Sequence, residues 1–157
     1  MTWHGRELDL LELLARTLEN AARLYEAYSR AFPELEEFWF GLAMEEVDSS
    51  NLVHSCIMQI RSGSIHVDTS RIDEAELQNL LDSIQGELAR VQRKKIDIND
   101  AIDSALNIER MIVEGEYLEV LSTYLEEIGH PLPYPVVTAK NHVKVLEQMS
   151  RDLKDDV

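Results

Sequence analysis

The sequence predicts an all-α protein: a bundle of four long helices in which the second and third are joined by a long crossover carrying a short helix of its own. Three observations predict it. Apolar residues recur at three- and four-residue steps over four long stretches. No stretch alternates with the two-residue period of a strand. The turns after the first and third long helices are short and force antiparallel neighbours, whereas residues 62–97 separate the second from the third.

The first helix, 7–31, carries Leu11, Leu14, Leu18, Ala21, Tyr25 and Tyr28 on one face. Pro33 ends it and suits the first turn of the next helix. From 34 to 61 the stripe reads Leu35, Trp39, Leu42, Glu46, Ser49, Val53, Ile57 and Ile60, so polar residues interrupt it only at 46 and 49. "RSGSIHVDTS" reads as a loop. A shorter helix over 73–94 follows, with Leu77, Leu80, Leu81, Ile84, Leu88 and Val91 inward and "RKK" at its end. The third long helix places Ile98, Ile102, Leu106, Glu109, Val113, Glu116 or Tyr117, Val120 and Tyr124 on one face and is expected to stop at Gly129. After the proline-rich turn "HPLPYP", residues 135–154 turn Ala139, His142, Leu146, Met149 and Leu153 inward.

At 157 residues the chain, read as one domain over 1–157, can bury roughly two thirds of the surface its unfolded form exposes. Thirty acidic against fifteen basic residues give a formal charge of −15, which repels phosphate backbones and anionic headgroups. Nucleic-acid and membrane partners are therefore not expected. The start, "MTWHGRELD", has no basic region followed by an apolar run, so the expected location is cytoplasmic. The single cysteine, Cys56, reads as a small core residue.

The inward positions that break the apolar stripes are Glu46 with Ser49, Glu109, Glu116 and His142. Buried carboxylates must be paired, neutralised or bound to a metal, because an isolated charge in a bundle core costs several kcal/mol. Carboxylates and an imidazole meeting at one level form a common ligand set for iron, manganese or zinc.

This layout resembles the rubrerythrin branch of the ferritin-like family over residues 10–153. The metal helices of that family read E-x6-Y, A-x-x-E-x-x-H, E followed by Y about two turns on, and E-x-x-H-x3-L. The resemblance implies a ferritin-like four-helix bundle and a di-iron carboxylate centre that handles peroxide, oxygen or iron. Position by position, half of it is broken. Leu18 stands seven residues before Tyr25, with Glu19 next door on the flank of the stripe. Glu46 follows Ala43 by three, but Ser49 takes the place of the histidine. Glu109 stands eight before Tyr117, and His142 precedes Leu146 while Ala139 replaces its partner glutamate. Three of six ligand positions remain, Glu46, Glu109 and His142, so an intact di-iron centre is not expected.

Three readings of these residues stay open. They form a metal-free hydrogen-bonded cluster, a site for one divalent metal (iron, manganese or zinc), or a two-metal site rebuilt with Glu19, Glu116 or water. Tyr25 and Tyr117 either donate to the core carboxylates or only pack. His54 reads as a boundary histidine able to turn inward. Glu45 and Arg110 are placed on the solvent side, and His66 with Asp68, His4 and His130 carry no expected metal role. Phe38, Trp39 and Phe40 point about 100° apart, so one ring must leave the core, toward a homodimer interface or the crossover helix. The leading expectation is a non-catalytic scaffold or interaction protein with a partly lost di-iron site and room for one metal. The alternative is an iron- or manganese-dependent oxidoreductase acting on peroxide, oxygen or Fe(II), which would need an external electron donor.

Overall fold

A computed structural model describes residues 3–127, 129 and 134–155; the proline-rich turn expected at 130–133, with His130, and the side chain of His4 lie outside the described residues. Every regular element among the described residues is helical: α1 (Trp3–Ala31), α2 (Glu36–Arg61), α3 (Glu74–Gln92), α4 (Ile98–Glu114), α5 (Ser122–Glu127) and α6 (Tyr134–Asp155), with short 3-10 turns at Pro33–Leu35 and Leu118–Leu121. None of these helices is long and apolar enough to cross a membrane. The all-α expectation holds.

Pro33 opens the 3-10 turn that reverses the chain between α1 and α2. Running antiparallel, these helices pair Arg61 with Glu12 at one end, while at the other Tyr25 stacks on Trp39 with centroids 6.1 Å apart and Tyr28 lies 4.8 Å from the same indole. Tilted and offset ring pairs of this kind add about 0.5–1.5 kcal/mol each beyond their burial. Trp39 is wholly buried and Phe38 half-buried, so the ring that leaves the core is Phe40, 53% exposed. Met44, one turn on, shares that outer face of α2.

The crossover is tied down before it becomes helical. Buried Glu7 of α1 accepts the backbone N–H of Val67 at 2.7 Å, and His66 Nδ1 lies 3.3 Å from the same carboxylate oxygen. Cys56 is buried, and burial followed by the nearby Glu7 charge pushes its thiol up to about 12, so it is a core residue and not a nucleophile. Asp73 caps α3 by accepting the Glu76 N–H, and α3 then runs back along α1 from the Arg6–Glu74 pair upward. Asp97 and Asp100 form a reciprocal capping box that starts α4 sharply. Helices α4 and α6 are antiparallel partners, pinned by Arg110–Glu147 and by Ser150 donating to Asp103. In sum α2 and α4 point the same way, with α3 returning between them.

One expectation fails. The third long helix was expected to reach Gly129, but α4 ends at Glu114. Gly115 closes its last turn and Glu116 adopts φ +54, a left-handed conformation that stops a helix and is strained for a side chain other than glycine. The ring of Tyr117 then folds back over Gly115, where a Cβ would meet it at 2.4 Å. Periodicity could not reveal the stop, because Val113, Tyr117, Val120 and Tyr124 keep the apolar spacing across it. Gly115→Ala is expected to destabilise the fold by about 1–3 kcal/mol, the usual cost of overpacking. A denaturant midpoint equal to that of the wild type would show that Tyr117 can give way.

Candidate metal centre

Four helices deliver side chains to one level of the core. Glu46 arrives from the α2 stripe between Ala43 and Ser49–Ser50, Glu109 from α4, His142 from α6 and Tyr25 from α1, all buried. One ligand atom each of Glu46, Glu109 and His142 lies within 4.8 Å of the other two. His142 Nδ1 is 3.6 Å from Glu109 Oε1 and 4.0 Å from Glu46 Oε1. Neither distance is a hydrogen bond. Nδ1 of His142 and Oε2 of Glu109 are accordingly buried with no hydrogen-bond partner. Tyr25 donates its hydroxyl to Glu109 Oε1 at 3.0 Å.

The electrostatics follow from burial in company. Desolvation first, then the Glu109 and Glu45 carboxylates, push Glu46 well above the usual carboxyl range, so it resists ionisation. Burial pulls His142 down, but attraction from Glu109 and Glu45 outweighs it and the imidazole ends above its ordinary 6.5. Tyr25, buried and facing Glu109 and Glu46, is held well above 10 and stays a donor.

The residues foreseen from the sequence separate into two groups. Glu46, Glu109 and His142 converge with Tyr25 above them, and Ser49 is buried one turn along α2 from Glu46. Glu19, Glu116 and Tyr117 do not join them. Glu19 on the α1 flank accepts from Ser50 and lies 2.6 Å from His54 Nε2, a partly exposed pairing that lowers the pKa of Glu19, chiefly through His54. His54 thus sits at the boundary and does not turn inward. Glu116, past the end of α4, is exposed and 3.6 Å from Arg71. Tyr117 is carried off by the same break; burial, then the charges of Glu76 and Asp73, push its hydroxyl up to about 12. Arg110 is on the solvent side, as expected, 3.5 Å from Glu147.

Glu45 corrects the sequence reading. It was assigned to the helix surface, yet its carboxylate reaches Nε2 of His142 while remaining 43% exposed. The signal that could have found it is its place next to Glu46, about 100° around α2 on the side that α6 occupies. A one-helix projection marks that direction as outside, and only the packing of α6 makes it a contact.

Chemically, two carboxylates and an imidazole with vacant lone pairs suit a divalent cation, whose bound donor atoms lie about 3 Å apart. The His142 spacings, 3.6 Å to Glu109 and 4.0 Å to Glu46, would contract by up to about 1 Å to reach that. The chain matches no family model, no curated protein and no solved structure.

Proposed function

We propose that the chain is a ferritin-like, rubrerythrin-related bundle with a partly lost di-iron site, a cytoplasmic scaffold or interaction protein that holds one divalent metal (iron, manganese or zinc) on Glu46, Glu109 and His142. The observation that carries the single-metal reading is the pair of buried atoms without partners, His142 Nδ1 and Glu109 Oε2, inside one tight donor group. A finished hydrogen-bonded cluster would satisfy them, since an unmade buried bond costs about 1–3 kcal/mol. The direction of the helices, with α2 and α4 parallel and α3 returning between them, supports the ferritin-like assignment. A homodimer formed through the outer face of α2 would cover Phe40 and Met44.

Native mass spectrometry of the purified protein before and after incubation with Fe(II), Mn(II) and Zn(II) reads both claims at once. One metal per chain is expected, lost on replacing Glu46, Glu109 or His142 by alanine, in a particle of two chains. No metal with any of the three ions would leave a metal-free polar core; two per chain would mean a rebuilt dinuclear site. A second reading, an oxidoreductase, draws on the small number of protein donors, since three leave coordination positions for oxygen ligands. It requires the ferrous protein to consume peroxide or oxygen, with an external donor restoring it.

A further inference from the structure

We propose that Glu45 is a positioning residue: by accepting the Nε2–H of His142 it turns the imidazole so that Nδ1 presents a lone pair to Glu46 and Glu109. It thereby sets the metal affinity of the site without touching the metal. This rests on the single-metal reading above.

The ring of His142 is held between two environments. Nε2 faces the half-exposed Glu45 carboxylate, and Nδ1 faces the buried pair of Glu109 at 3.6 Å and Glu46 at 4.0 Å. A neutral imidazole has one N–H and one lone pair, and the partner of one nitrogen decides the state of the other. Left to the core alone, Nδ1 would keep the hydrogen, because two carboxyl groups lie on that side. That tautomer cannot ligate through Nδ1. A carboxylate on Nε2 reverses the preference and makes the free nitrogen more basic, the arrangement found behind metal-bound histidines in general. Glu45 can do this because it leaves α2 about 100° from Glu46, where α6 brings His142 across. Its exposure also means that it can be removed without opening a cavity in the core.

The experiment uses the full chain, Zn(II) as the probe in competition with a chromophoric chelator, and nitrogen NMR of the His142 ring in the metal-free protein at a pH where the ring is neutral. Glu45→Ala is expected to weaken zinc binding by about 10- to 100-fold and to move the hydrogen from Nε2 to Nδ1. Glu45→Gln keeps an acceptor oxygen and is expected to restore the Nε2–H form and most of the affinity. The proposal is overturned if Glu45→Ala keeps both the affinity and the Nε2–H form, or if Glu45→Gln behaves like Glu45→Ala. Failure of the wild type to take zinc would count against the metal reading alone, because the ring tautomers of wild type and Glu45→Ala still decide the role of Glu45.

Discussion

His142→Ala is expected to remove metal binding altogether and to cost the metal-free protein about 3–5 kcal/mol, the range seen when one partner of a buried charged group is deleted. The size follows from where the side chain lies. His142 is the one basic side chain that faces Glu109 and Glu46 in the described core, and Glu109 is 0% exposed. Without the imidazole, the two carboxyl groups have only Tyr25 as a donor, and a proton must be taken up to relieve them. The loss should be largest while the imidazole carries its proton and shrink as pH rises through the raised folded value of His142. Urea unfolding of wild type and variant at several pH values measures it. A variant as stable as the wild type throughout would show that the imidazole is not charged against Glu109, and that the core is held by packing alone.

The second large effect concerns pH itself. Glu46 and His142 both have folded pKa values above their ordinary 4.5 and 6.5. The native state then binds more protons than the unfolded chain from about pH 4.5 upward, until the raised folded values are passed. Stability of the metal-free protein is full below that window and falls as pH climbs through it. Metal binding has the opposite slope, because the ion must displace protons from Glu46 and His142 and gains affinity as pH rises. Glu46→Gln separates this local effect from the general self-repulsion of a chain of charge −15. Gln keeps the shape of a neutral carboxyl, so at mildly alkaline pH the variant is expected to be more stable than metal-free wild type by about 1–3 kcal/mol. It should at the same time hold metal at least about 100-fold more weakly. Melting curves with and without Zn(II) at acidic, neutral and alkaline pH decide it; a wild type that gains stability with rising pH when metal-free contradicts the buried, protonated Glu46.

Much of the core was legible because helices write their burial into a period. Leu11, Leu14, Leu18, Tyr25 and Tyr28 in α1, and Trp39, Leu42, Val53 and Ile57 in α2, are buried as their spacing requires. Glu46, Glu109 and His142 were legible for the same reason, as polar residues at positions where the period demands apolar ones. What period does not carry is a stop inside a continuing pattern. The chain turns at Gly115–Glu116 with no gap in the apolar spacing, and that turn takes Glu116 and Tyr117 out of reach of Glu109.

The sequence by itself determined the helical class, the inward faces and the three polar residues on them, since these depend on neighbours three and four positions away along one helix. Tertiary structure alone decided which of those residues meet, that Tyr25 rather than Tyr117 donates to Glu109, and that Glu45 belongs to the site. The physical reason is that contacts between helices depend on the azimuth and level at which separate cylinders pack. Glu45 is an outer residue on α2 taken singly, and becomes the partner of His142 only once α6 lies beside it.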